Sequence, residues 1–199
     1  MMGVTTSSAR YMYRLIAKEA ILFTEMIASQ ALHRGDFKKM LRKETIESPV
    51  VLQVGGSDIN LLKYSTELAN KHNYQGINLN VGCPSKKVSQ GRMGACLMKE
   101  ANLVKQCLEG MKSETSIDVS LKCRIGVDEF DTYDEYEACI LMWSECCGIP
   151  KTNQGPVLSL TIPNESKKFG DKIRKNLFHT VLPNTLPNNP NGVKSILDY

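Results

Sequence analysis

A chain of 199 residues with 42% hydrophobic content is long enough for one domain, or one domain and a tail, around a sizeable core. It has no apolar run of about 18 residues, and its N-terminus lacks a basic flank and an apolar stretch, so neither a membrane-spanning helix nor a secretory signal is expected. The net charge of +4 comes wholly from residues 146–199, with 7 basic and 3 acidic residues against 18 and 18 in residues 1–145, so only local clusters can argue for a nucleic-acid partner.

In chain order, Ser7 or Ser8 can cap a helix running through Tyr11, Leu15 and Ile16. Residues 20–26 form a short apolar run of strand length closed by Glu25, and residues 34–44 read as loop plus helix. Residues 49–54 are a second buried strand ended by Gly55-Gly56, after which Ser57 or Asp58 caps a helix with Leu61, Leu62, Leu68 and Ala69 on one face. Residues 76–80 are a third strand. Leu103, Val104, Cys107, Leu108 and Met111 make a helical stripe, and residues 117–123 are a fourth strand. A further amphipathic helix is expected over residues 133–144.

Near residue 146 the character changes. Six of the eight prolines lie from Pro150 to Pro190, and residues 184–191 are dominated by Asn and Pro. Such a stretch breaks helices and leaves strand amides unpaired. A strand over 157–162 and a short helix over 172–180 are the only elements it suggests. Residues 1–145 are therefore read as the folded domain, and 146–199 as an irregular, poorly ordered tail.

Strands alternating with helices imply βαβ units and a parallel sheet. No G-x-G-x-x-G follows the first strand and no P-loop sequence occurs, which disfavours nucleotide-binding folds of those kinds. Polar residues instead close the successive strands: Glu25, Gln53, Asn80 with Cys83, and Lys122 with Arg124. That pattern belongs to a (β/α)8 barrel, whose functional residues sit at the carboxyl ends of its strands.

The segment Ile77-Asn78-Leu79-Asn80-Val81-Gly82-Cys83-Pro84-Ser85 carries the most chemistry. A thiol can act as nucleophile, metal ligand or proton donor, and at neutral pH an ordinary thiol is mostly protonated and can serve as a general acid. Gly82 would let the backbone approach a flat ligand, and Pro84 fixes the chain after the thiol. A small buried hydrophobe at a strand end is the plainer alternative for Cys83. Cys96, in the following Gly-Arg-Met-Gly-Ala-Cys-Leu-Met segment, reads as packing. The seven cysteines include no C-x-x-C, so neither a zinc ribbon nor a redox pair is indicated. Free thiols in a reducing compartment fit better.

Gln53 offers a donor and an acceptor to the edge of a heterocycle, or caps the following turn. Lys122 is a lone ammonium at an apolar strand end and should meet a carboxylate, a phosphate or an electron-rich ring. Lys86, Lys87, Arg92 and Lys99 form one basic cluster, and His33, Arg34, Lys38, Lys39, Arg42 and Lys43 another. Both are expected on one rim of the barrel, as RNA phosphate contacts or as solvated surface.

The chain resembles the tRNA-dihydrouridine synthases, most closely their bacterial A-type subfamily and its eukaryotic-organelle relatives. The resemblance is carried by Met1-Met2 with Thr5, Thr24-Glu25-Met26, residues 52–58, residues 77–85, residues 91–98 and Lys122-Cys123-Arg124-Ile125-Gly126-Val127-Asp128, and covers roughly residues 1–137. It implies an FMN-binding (β/α)8 barrel that uses NADPH to reduce a flipped-out tRNA uracil. The proton donor would be Cys83, with Asn80 near the uracil. Gln53 and Lys122 would contact the flavin, and Met1 and Met2 would line it. Another flavin barrel, such as a dihydroorotate dehydrogenase relative, is disfavoured by the Gly-Cys-Pro-Ser and Gly-Ala-Cys-Leu-Met segments.

Departures from the family pattern are also expected to matter. Cys123 stands where the family usually has His. The strand before the Met pair, the His-Ala-Arg segment, the Gly-rich phosphate-binding turns and the helical tRNA-binding domain have no counterparts in the sequence. A barrel usually needs about 250 residues. The sequence thus predicts a partial barrel of about four βα units with an irregular C-terminal tail, binding FMN weakly or not at all. A non-catalytic fragment with residual RNA binding is the alternative. The setting expected is the cytoplasm, or an organelle if an N-terminal targeting segment is missing.

Overall fold

The structure is a computed structural model that describes residues 3–124 and 127. Met1, Met2, the expected helix over 133–144 and the whole of the expected tail lie outside the described residues.

Helices and strands alternate. Helix α1 (Ser7–Ile16) is followed by two short strands, β1 (Leu22–Phe23) and β2 (Ile27–Ala28), and by helices α2 (Ser29–Arg34) and α3 (Phe37–Met40). A 3-10 turn (Thr45–Glu47) leads into strand β3 (Val50–Gly55), then helix α4 (Ile59–Lys71) and strand β4 (Gly76–Asn80). Helix α5 (Lys86–Gln90), a 3-10 turn (Gly94–Lys99), helix α6 (Ala101–Ser113) and strand β5 (Asp118–Lys122) complete the described part.

All strands are parallel, in the order β1-β3-β4-β5, with β2 also paired to β3. Each new strand adds to the same advancing edge of the sheet. A doubly wound sheet would return to the first strand and grow outward on its other side. Sequential parallel addition with helical crossovers is the geometry of a barrel arc.

Strand alternation sorts the side chains onto two faces. Leu52, Val54, Ile77, Leu79, Val119 and Cys123 point one way and share an apolar core with Leu62 and Leu68 of α4 and Val104, Leu108 and Met111 of α6. Leu52, Ile77, Leu79 and Leu108 are all 0% exposed, and full burial of such a side chain contributes about 1.5–3 kcal/mol. Gln53, Asn78, Asn80, Ser120 and Lys122 alternate with these residues and occupy the opposite face. Lys122 and Cys123 thus fall on different faces, as the period of two requires.

The middle of the domain follows its sequence pattern, and Asp58 caps α4 by accepting from the Asn60 and Leu61 amides. The first 30 residues follow it in outline only, with helix α1 where a helix is expected but capped and packed differently. Thr6, not Ser7 or Ser8, caps α1. The helix also buries Arg10 and Arg14 while Tyr11, Leu15 and Ile16 stay exposed. Its inner face meets the 3-10 turn, where Glu47 is 0% exposed and accepts from Arg10 Nε at 2.6 Å and from the Ser7 hydroxyl. Arg14 donates to the Glu47 and Pro49 carbonyls at 3.0 and 3.1 Å. The single strand expected over 20–26 is split into two short strands, both paired to β3, with Thr24, Glu25 and Met26 between them.

Candidate functional site

The carboxyl ends of β3, β4 and β5 bring Gln53, Asn80, Cys83 and Lys122 to one end of the sheet. Register explains the assembly: Gln53 pairs with Asn78, Asn78 with Ser120, and Asn80 with Lys122. Residues from three strands therefore stand side by side on the polar face.

These side chains are bonded into one chain. Asn78 Nδ2 donates to Ser120 Oγ at 3.0 Å, Gln53 Nε2 to Asn78 Oδ1 at 2.9 Å and Asn80 Nδ2 to Gln53 Oε1 at 3.0 Å. Asn80 Oδ1 then accepts from the Gly82 and Cys83 amides at 3.1 and 3.0 Å. Gln53, Asn78 and Asn80 are all buried, so these bonds meet the demand that buried amides be satisfied. Thr24 extends the network from the split strand, its hydroxyl accepting from the Gln53 amide at 2.9 Å. The sequence pattern gives no site role to Asn78, Ser120 or Thr24, although Thr24 lies in a segment that carries the family resemblance. The signal for the first two was there, since each stands two residues before a polar residue at the end of its strand.

Cys83 is half-buried, with a free thiol. Its backbone is gripped on both sides. Asn80 accepts from its amide, and its carbonyl accepts from the Ala95 amide at 2.9 Å. Gly94, at φ +77, makes the second grip possible. A Cβ there would sit 2.5 Å from the Cys83 carbonyl oxygen and 2.7 Å from Val88 Cγ1. Only glycine combines that conformation with that approach.

Gly82 makes a close approach within the chain: a Cβ on it would lie 3.0 Å from the Cys123 carbonyl carbon, where the chain leaves β5. The segment 85–100 is also more ordered than a loop, folding as α5 and a 3-10 turn. It crosses the end of β3, because a Cβ on Gly55 would meet both Met26 Sδ at 2.9 Å and Met93 Sδ at 3.0 Å. Cys96 is half-buried and its thiol donates to the Met93 carbonyl at 3.3 Å. Cys107 is buried, and burial, with Asp58 adding to it, pushes its thiol up to about 11. Lys122 has no ion-pair partner among the described residues.

The two basic clusters do not share a rim. Lys86, Lys87 and Arg92 are exposed beside Cys83 at the carboxyl ends of the strands. Arg92 is committed to Glu100 at 2.9 Å. The other cluster runs down the outside of α4: His33 meets Tyr64 edge-on, Phe37 meets His72 at the end of α4, and Lys43 lies over Tyr74 at 5.3 Å. Tyr74 stands two residues before β4, so this cluster ends at the amino end of the sheet.

Among the described residues no group of three or more His, Cys, Asp or Glu side chains could hold a metal ion, and no helix is long and apolar enough to cross a membrane.

A parallel β/α sheet of sequential order, with its polar residues gathered at the strand ends, defines part of a (β/α)8-type barrel with a clamped cysteine at that end of the sheet. The family profile described as Dihydrouridine synthase (Dus) matches residues 1–148, and the chain belongs to that family. It is 42% identical over 149 residues to a tRNA-dihydrouridine(20/20a) synthase of Yersinia pestis, covering 73% of this chain and 43% of that one. Proteins of the same description from Xanthomonas campestris pv. campestris and Vibrio vulnificus are 44% and 45% identical, over 67% of this chain and 40% and 41% of theirs. The chain thus spans about two fifths of the length of these relatives.

Proposed function

We propose that the chain forms the substrate-reducing part of a tRNA-dihydrouridine synthase, in which a tRNA uridine is reduced to 5,6-dihydrouridine. The observation that carries this reading is the clamp on half-buried Cys83, whose backbone is held between the Asn80 side chain and the Ala95 amide, with Asn80 bonded in turn to the Gln53 carboxamide. Two features support FMN as the partner group. Among the described residues the Gln53 carboxamide uses one N–H and one lone pair, which leaves one of each for the edge of a flavin ring. Lys122, with no ion-pair partner among the described residues, brings an ammonium to the same end of the sheet. Met1 and Met2 are proposed to line the ring, on family resemblance alone. When bound and reduced by NADPH, FMN would supply the hydride to one carbon of the uracil 5,6 double bond.

The chain's own residues do the rest. Cys83 holds the proton at Sγ and delivers it to the neighbouring carbon, becoming a thiolate that solvent reprotonates. Asn80 fixes the thiol's backbone. Lys86 and Lys87 are exposed and form no ion pair among the described residues, so they can meet tRNA phosphates, whereas Arg92 must first leave Glu100. Free thiols at these positions suit the cytoplasm.

Cys83→Ala tests the reading. Removing a general acid costs about 10²–10⁴-fold, so dihydrouridine formation on tRNA should fall by that much while any flavin absorbance stays. Undiminished reduction by the variant would exclude Cys83 as proton donor. Absence of both flavin and dihydrouridine with the unaltered chain would leave RNA binding alone. In that case neutralising Lys86 and Lys87 should weaken tRNA binding and flatten its salt dependence, and Arg92→Gln should do less.

A further inference from the structure

The hydrogen-bonded chain at the strand ends has a direction, and that direction is dictated from one end. Backbone N–H groups can only donate. The Gly82 and Cys83 amides therefore force Asn80 to turn its oxygen towards them. Its NH2 must then face Gln53, which turns the Gln53 oxygen to Asn80 and the Gln53 NH2 to Asn78. Asn78 in turn presents its NH2 to Ser120. Carboxamide orientations are ordinarily ambiguous, but here each is fixed by its neighbour. The run reaches the Ser120 hydroxyl, whose oxygen is the one side-chain atom in it that can both donate and accept, and which donates at 3.5 Å to the Ile77 carbonyl.

We propose that Asn78 and Ser120 are positioning residues of this site, orienting the Gln53 carboxamide and, through Asn80, the backbone of Cys83. This rests on the reading of Gln53 and Cys83 as ligand-facing groups. Neither Asn78 nor Ser120 need touch a ligand. Asn78 is buried and both its polar atoms are bonded within the chain, so its effect must pass through its neighbours. With Asn78 in place, Gln53 can offer a ligand its spare donor and acceptor on one pair of sides only. Without it, Gln53 loses the acceptor that locks its NH2, and Asn80 loses a partner of fixed polarity.

The test reads Cys83 itself and needs neither flavin nor tRNA. The rate of Cys83 alkylation by iodoacetamide is followed by peptide mapping across a pH series in the full chain. Asn78→Leu, close in volume but with no polar atoms, should raise the Cys83 rate several-fold at every pH, because the half-buried loop is held less firmly. Asn78→Asp keeps an acceptor for Gln53 Nε2, and the Ser120 hydroxyl can rotate to donate to it, so this variant should restore the wild-type rate. Ser120→Ala, at a half-buried position, should move the rate in the direction of Asn78→Leu and provides the measurement if the leucine variant does not fold. Unchanged Cys83 reactivity in folded Ser120→Ala and in any folded Asn78→Leu would overturn the proposal, as would failure of Asn78→Asp to restore it. Loss of tRNA reduction with wild-type alkylation would overturn it too, while leaving the proposed reaction standing. That reaction stands or falls separately on Cys83→Ala.

Discussion

Replacing Gly94 by alanine should damage the cysteine clamp from the side opposite Asn80. At φ +77 an L-residue pays about 1–2 kcal/mol for the left-handed conformation alone. The new Cβ would also stand 2.5 Å from the Cys83 carbonyl oxygen, where ordinary contact begins at 3.4 Å, so the Cys83 backbone must retreat by about 0.9 Å. That movement breaks the 2.9 Å bond from the Ala95 amide, worth about 1 kcal/mol. Together these make a loss of about 2–3 kcal/mol, which in urea unfolding lowers the midpoint by about 1 M or more. A displacement near 1 Å at a reacting atom costs about 100-fold in rate, so tRNA reduction should fall by about that factor. Gly91→Ala is the control: its new Cβ meets the mobile end of Met93 at 2.4 Å, at an ordinary φ of -80, and the side chain can swing away. Urea midpoints and Cys83 alkylation read both variants. Wild-type values for Gly94→Ala in both assays would refute the clamp.

Glu47→Ala should destabilise the fold by about 3–5 kcal/mol, because it leaves Arg10 buried without its carboxylate. Burial alone would raise the Glu47 pKa, but the Glu44 amide, the Ser7 hydroxyl and Arg10 outweigh it and hold the carboxyl below its ordinary 4.5. A depressed carboxyl pKa gives stability that is present above the unfolded value and lost as pH falls through the folded one. The wild-type urea midpoint should therefore drop on acidification below about pH 4.5, and the Glu47→Ala midpoint should drop less. Asn80→Asp should melt close to wild type, since Gln53 and Asn78 can both turn over and the reversed run can end on a donating Ser120 hydroxyl. Asn80→Ala, which orphans the Gly82 and Cys83 amides, should melt several degrees lower, and equal melting of the two variants would show that the carboxamides do not turn together.

What the sequence made legible follows from how local each cause is. Strands β3, β4 and β5 and helices α4 and α6 each bury one apolar face against the next, so periods of 2.0 and 3.6 mark them without reference to anything distant. Helix α1 breaks the pattern because its inner face is held by an ion pair between residues 37 positions apart, and no periodicity reports that Arg10 will find Glu47. The basic residues after β2 look like part of the strand-end rim only while α2 and α3 are unseen, since those helices carry the chain along α4 to the far end of the sheet. The site divides in the same way. Gln53, Asn80 and Lys122 betray themselves as polar residues ending apolar strands. Asn78 and Ser120 are 42 residues apart, and only the register of β4 against β5 sets them face to face. A polar residue inside an apolar strand costs stability unless a partner is waiting on the next one. Here the partners wait on both sides, and the row they form leads to the backbone of Cys83. Burial of that row is affordable because every link is made, and the same completeness leaves Cys83 little freedom to be anywhere else.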